Sequence, residues 1–403
     1  MAAPSSAPSQ HTPQHIPQHT SHPSARPAPP DRPAGRAGRR PPHGRAVAAL
    51  RQVGPNWYAA VMGTAITGNA GAALPGCPGW LRAACTVVWA LSALLLAAVL
   101  AARAGHWAWH RDAALRGLRD PAVAPFYGCL PMALLAVGSG ALALGGPVVG
   151  ERAAVALGAG LWAVGSVSAV LVAAVVPYLM VARHRIGVGE ASPVWLLPVV
   201  GPMVAASVGP ALVPHLAAGD TQGREALLLG CLAMFGMSLL ATLITLPVVW
   251  ARLLQHGPLP VAAAPALFLV LGPLGQSTTA TGNIADASPA ALPGPYAVAL
   301  RGFALVYGVP VTGFALLWLA VAAALVVKAA REGLRFSMTW WAFTFPVGTC
   351  VTGAASLARH TGLDALTWLA VALYVGLVAA WLAAGSGTAR GVVFRRLLAS
   401  GPL

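Results

Sequence analysis

Phe345, Thr349, Thr352 and Ser356 recur at i, i+4, i+7 and i+11, the spacing of one helical face. Gln276, Thr279 and Asn283, at i, i+3 and i+7, also share one face, and Thr64, Thr67 and Gly71 form a third stripe, with Asn69 close by. Hydroxyls and amides hold water or an ion through hydrogen bonds that form and break easily, with no covalent step. Residues for harder chemistry are missing. Val137 stands where a Gly-x-Ser-Gly nucleophile motif around Ser139 requires glycine, and neither His-Glu-x-x-His nor the phosphate loop GxxxxGK[ST] occurs. His106 and His110, four apart, give one helical edge without a third metal ligand. The five cysteines show no CxxC spacing and read as small apolar residues. An integral membrane enzyme is therefore disfavoured, and no catalytic residue, cofactor or metal is assigned.

The elements that position the stripes follow from composition. Of 403 residues, 57% are hydrophobic and 9% charged, against about a quarter charged in a soluble domain. Helices that face lipid on one side and protein on the other can be apolar all round. The chain reads as an all-α polytopic membrane protein, which excludes a soluble enzyme, a disulfide scaffold and a nucleic-acid partner. Ten stretches meet the roughly 20-residue need of a spanning helix: 56–74, 80–104, 125–146, 153–182, 193–216, 226–253, 264–284, 297–325, 338–358 and 363–385. The transport domain is expected over 46–385. Residues 1–45, with 11 prolines and five histidines, read as a disordered basic tail, and 386–403 as a short basic one.

Charge tests the count. With ten spans both termini share a side, and 20 of the 25 basic residues fall on it, while Arg82, Arg152, Arg224, Arg301 and Arg359 are spread one to each opposite loop. The positive-inside rule then puts both termini in the cytoplasm of a multi-pass plasma-membrane protein. Trp57, Trp80, Trp107, Trp109, Trp195, Trp340 and Trp341 lie at span ends, as headgroup anchors do.

Odd and even spans differ. The odd ones hold ten prolines and the even ones three, and Ser, Thr, Asn and Gln follow the same bias, 17 against 9. Proline frees a carbonyl that lipid cannot satisfy, so the odd helices belong inside and the even ones outside. Pro131, Pro202, Pro210, Pro273 and Pro346 are candidate kinks, and Ser207 joins the stripes as a candidate lining residue. One polar stripe alone is explained by interhelical bonding, but three confined to one class of helix point to a shared polar pathway. No Asp, Glu, Lys or Arg falls in mid-span, which leaves no acidic relay and nothing fixed to repel an anion.

Three segments carry a resemblance: PNWYAAVMGTAITGNA (55–70), GPLGQS (272–277) and WWAFTFPVGT (340–349). They resemble, in order and spacing, the tellurite-resistance/dicarboxylate transporter family, which includes slow-type anion channels, malate permeases and sulfite exporters. The resemblance covers about residues 50–390. It implies five helical hairpins around a central pore, odd spans inside, assembled as a homotrimer in the bilayer and carrying an inorganic oxyanion, halide or C4-dicarboxylate. It also implies a pore phenylalanine as gate, which on the matching motif is Phe345 beside Pro346. A second transporter reading, two inverted five-helix repeats with a broken span 1 and sodium coupling, finds Gly63, Gly68 and Gly71 suited to unwinding but an uninterrupted span 6.

Overall fold

The computed structural model describes residues 50–394 except Val188 and Ala218, all within one compact unit, Pro42–Leu403. The expected tail 1–45 and residues 395–403 lie outside the described residues. All regular structure among the described residues is helical. In chain order the long helices are α1 Tyr58–Ala73, α2 Gly79–Trp109, α3 Cys129–Leu144, α4 Glu151–Ala182, α5 Leu197–Val208, α6 Thr221–His256, α7 Leu271–Ala287, α8 Gly294–Arg331, α9 Phe345–Thr361 and α10 Asp364–Val393. A short amphipathic helix, Arg111–Arg119, follows α2. The last helix continues past the expected span end at 385 to Val393.

Eight of these segments are long and apolar enough to cross a membrane. The two that fall short, around α1 and α9, carry Thr64, Thr67 and Asn69 in one case and Thr349, Thr352, Ser356, Arg359 and His360 in the other. Protein shields both on most sides, so neither needs an apolar surface. Burial separates two classes. The segments built on α3, α5 and α7 are 72%, 94% and 78% buried, whereas α2, α4, α6, α8 and α10 range from 17% to 28%.

Contacts give the arrangement. α1 packs on α3, α3 on α5, α5 on α7, α7 on α9, and α9 returns to α1, a closed cycle. Each remaining helix packs against its predecessor in the chain and the next member of the cycle: α2 on α1 and α3, α4 on α3 and α5, α6 on α5 and α7, α8 on α7 and α9, α10 on α9 and α1. Every inner helix begins with a 3-10 segment: Pro55–Trp57, Ala124–Gly128, Pro193–Leu196, Val261–Val270 and Met338–Phe343. Contacts between successive starts show that the inner helices run parallel, so the cycle has a near end, where they begin, and a far end.

Proline has a different place from the one expected. Pro131, Pro198, Pro273 and Pro346 occupy the first three positions of their α-helices, where no intrahelical donor is lost. Pro210 opens the 3-10 segment Gly209–His215, and Pro202 alone of the five candidate kinks stands inside an α-helix. Neither α1 nor α6 is interrupted, so the broken first and sixth helices of an inverted-repeat carrier are absent.

Candidate functional site

The change from 3-10 to α-helix puts the first turns of five helices at one level, and there the side chains converge. Met62 of α1, Met132 of α3, Val200 of α5, Gly272 of α7 and Phe345 of α9 line one small cavity with a free volume of about 10 Å³, no more than a single water needs. Leu196, Leu197, Leu269 and Pro346 complete a wall that contains no hydroxyl, amide or charge. This is a collar, contributed by every member of the cycle.

Phe345 is the one aromatic ring in this wall and is buried, 3% exposed. Its position follows from the sequence around it. Thr344 leaves the 3-10 segment at φ −93°, ψ −73°, and α9 starts at Phe345 with Pro346 pre-set for the first turn. The Thr344 hydroxyl donates to the Trp341 carbonyl at 2.7 Å, and the Trp341 indole N–H donates to Thr388 of α10 at 2.9 Å, which anchors the turn before the ring. Phe343 is clamped edge-on by Phe268, centroids 4.9 Å apart, and by Trp340 at 5.9 Å. Phe345 has no such ring partner among the described residues. Its collar neighbours include two methionines, the most adaptable apolar side chains.

Beyond the collar, toward the far end, the stripes divide into two kinds of position. Thr349 is fully buried and donates to the Pro346 carbonyl at 2.7 Å, with the Leu271 and Gly272 carbonyls at 3.3 Å, so it lies in the seam between α9 and α7. Ser356 packs against Gly282 in the same seam. Thr352 meets Thr279 at 2.7 Å. Gln276 donates to the Ser207 hydroxyl, and Asn283 to the Ser207 carbonyl at 2.8 Å, which ties α7 to α5. In α1, Asn69 donates to the Ala136 carbonyl of α3 at 2.8 Å, and Thr67 to the Gly63 carbonyl at 2.9 Å. Thr64 accepts from the Trp381 indole at 3.2 Å, so its hydroxyl is engaged by the outer helix α10. Of the stripe residues, Thr279 and Thr352 meet directly and Thr349 and Ser356 reach α7, while Gln276 and Asn283 are tied to α5 and Thr64 to α10.

At the far end His360 Nε2 lies 3.0 Å from the Asp286 carboxylate, joining the last turns of α9 and α7, and Arg359 donates to the Ala73 carbonyl at the end of α1. No carboxylate or cation lines the collar.

Sequence reasoning missed the apolar members of the collar, because one methionine or leucine in an apolar helix carries no contrast. It also missed Trp89, Trp162 and Trp318, whose indoles donate to the inner carbonyls of Val137, Ala205 and Leu267 at 2.9–3.0 Å. Their signal was available: each is a tryptophan in the middle of a span, where an indole N–H must find a protein acceptor.

The family model described as SLAC1, voltage-dependent anion channel, matches residues 52–389. An uncharacterized transporter of Methanocaldococcus jannaschii is 26% identical over 328 residues, 81% of this chain and 90% of its own length. The sulfite efflux pump SSU1 of Trichophyton rubrum is 27% identical over 318 residues, 77% of this chain and 83% of its own. That of Arthroderma otae is 26% identical over 340 residues, 83% and 89% respectively.

Proposed function

The chain belongs to the SLAC1 family of voltage-dependent anion channels, and from that premise we propose that it passes small anions along the axis of the inner cycle, with Phe345 as the gate. In this reading all ten helices cross the plasma membrane as five hairpins, the near end and both termini face the cytoplasm, and three copies assemble as a homotrimer. The charge asymmetry of the loops supports the orientation. The family resemblance supports the trimer, and mass photometry in detergent is expected to give three times the chain mass.

The observation that carries the reading is the collar. Every inner helix contributes to it, its wall is apolar, and the one aromatic ring in that wall is not held by other rings. An apolar constriction of this size excludes water and therefore ions, which is how hydrophobic gates close. Opening requires Phe345 to leave its site, and a buried aromatic gives up roughly 1.5–3 kcal/mol on exposure. That is small enough to be reversible and large enough to keep the closed state dominant. No covalent or metal-bound step is needed. Anions are favoured over cations because inner side chains offer no carboxylate at the collar and five parallel helices direct their partially positive ends at the near mouth. Among possible cargoes, the sulfite efflux pumps among the relatives favour an inorganic oxyanion over a halide or a C4-dicarboxylate.

Anion flux in proteoliposomes tests the gate from both sides. Phe345→Ala is expected to raise flux by about tenfold or more, the rate equivalent of about 1.4 kcal/mol. Gly272→Leu is the opposite change: a Cβ at Gly272 meets open space, so a leucine there would project into the collar and lower flux. Wild-type flux from a folded Phe345→Ala protein would remove the gate.

A further inference from the structure

Away from the collar, the surface of the near end carries a second feature. The helix Arg111–Arg119 begins two residues after α2 ends at Trp109, and His110, at φ −134° and ψ 44°, turns the chain between them. A tryptophan at the end of a span marks the headgroup level, so this helix starts within about 7 Å of it. Its two faces differ. Ala114 is buried, and a Cβ on Gly117 would stand 3.5 Å from Val123 and 3.6 Å from the Tyr127 hydroxyl, so that face is seated on the protein. Arg111, Leu115 and Arg119, at i, i+4 and i+8, share the outward face, and all three are exposed.

Two contacts hold the seat. The Tyr127 hydroxyl donates to the Ala114 carbonyl at 3.2 Å, and His184 Nε2 lies 3.2 Å from the Leu118 carbonyl. His184 stands between Arg183 and Arg185, both exposed, so the end of α4 adds its two cations beside those of the helix. Charge in this patch is unbalanced. Asp112 is taken by Arg116, Asp120 accepts from the Ala122 backbone at 2.9 Å, and Glu190 accepts from the Gly187 backbone at 2.8 Å. Arg111, Arg119, Arg183 and Arg185 have no carboxylate partner among the described residues. Other near-end cations differ: Arg252 donates to the Gly189 and Gly257 carbonyls, and Lys328 pairs with Glu332. A helix facing water gains nothing from exposing Trp109 and Leu115, 64% and 41%, beside its arginines. At an anionic membrane surface both kinds of side chain find partners, because the apolar ones enter the acyl boundary while guanidinium forks hold phosphate oxygens.

We propose that the Arg111–Arg119 helix, with Arg183 and Arg185, is a docking surface for the phosphate headgroups of anionic phospholipid in the leaflet at the near end. The docked lipid steadies more than this helix. Tyr127, which seats it, also accepts from Arg103, and Arg103 donates to the Val53 carbonyl at 2.9 Å. The seat is therefore tied to the segments that lead into α1 and α3. Docking is independent of whether anions pass through the collar.

The test uses the full-length protein in phosphatidylcholine bicelles, with phosphatidylglycerol as the probe and Tm as the readout. Phosphatidylglycerol is expected to raise Tm by several degrees, as a ligand of the folded state does, and added NaCl to shrink the rise. Arg111→Gln/Arg119→Gln is expected to require about tenfold more phosphatidylglycerol for half of the shift. Arg152→Gln/Arg301→Gln, a pair matched in charge at the far end, is expected to titrate like the wild type. All four of these side chains are exposed and none makes an ion pair among the described residues, so both variants keep the fold. Inorganic phosphate, which offers the charge without the acyl chains, is expected to leave Tm unchanged. An equal shift with inorganic phosphate would make the patch a soluble-anion site and overturn the lipid assignment. Equal losses from the two variants would reduce the effect to bulk charge, and no shift with phosphatidylglycerol would remove the docking surface.

Discussion

Inner and outer helices share one chain, yet they solve different problems. The outer ones are long, α8 running 38 residues, and leave large apolar side chains such as Leu94, Ile244 and Val306 exposed for lipid. Inner ones are short, start in 3-10 geometry, and bury nearly every side chain against another helix. Between the classes runs a regular connection: Trp89 of α2, Trp162 of α4, Ser238 of α6 and Trp318 of α8 donate to inner backbone carbonyls, and Trp381 of α10 donates to the Thr64 hydroxyl. The difference teaches that each outer helix is fixed to the cycle by one such directional bond, while within the cycle side-chain hydrogen bonds such as Asn69 to Ala136 and Asn283 to Ser207 are combined with close approach of small residues, the packing mode available when hydrocarbon supplies no hydrophobic drive between helices.

Glycine gives the sharpest way to break that contrast. A Cβ on Gly275 of α7 would collide with the Thr349 and Cys350 backbone of α9, and backbone cannot swing aside. A Cβ on Gly236 of α6 meets nothing within 4 Å. Gly275→Val should therefore cost more than about 4 kcal/mol and abolish a monodisperse folded species in fluorescence-detected size exclusion. Gly236→Val should change stability by less than about 0.5 kcal/mol, since a lipid-facing helix position gains in propensity what it loses in shape. Equal effects of the two would mean that the classes do not differ in how they pack.

This division was partly legible in the sequence. The proline and polar bias separates the odd helices from the even ones, because protein-shielded helices tolerate groups that lipid does not. What the bias means locally was less legible: proline marks the start of four of the five inner α-segments more than a kink within them. The stripes also resolve into finer structure. Residues at i, i+4, i+7 and i+11 span an arc of about 60° on a 3.6-residue helix, wide enough to touch two neighbours. So Phe345 belongs to the collar and Thr352 meets the Thr279 hydroxyl, while Thr349 and Ser356 lie against the backbone and Gly282 of α7. Sequence spacing cannot divide that arc, because the division depends on where the next helix sits.

A smaller perturbation separates packing from gating within the inner class. A methyl group on Gly63 of α1 would press on Thr344 and the Trp341 ring, the turn that sets Phe345. Gly63→Ala is expected to cost roughly 1–3 kcal/mol, the usual range for overpacking, and to change anion flux several-fold. A drop in Tm with unaltered flux would show that the turn before Phe345 is only a packing contact.

The smallest expected effects test the outer connection. Trp89→Phe, Trp162→Phe and Trp318→Phe keep most of each ring and remove one N–H from an inner carbonyl, so each should cost about 1 kcal/mol, near the average for hydrogen bonds between membrane helices. Trp80 and Trp368, 73% and 71% exposed, serve as controls, and their phenylalanine variants should melt with the wild type. The three hydrogen-bonded sites involve different helix pairs, so their losses should add in the triple variant. Additivity would mean that each outer helix is fastened independently. A larger combined loss would mean instead that the shell holds the cycle in shape as one unit, in which case flux should change along with stability.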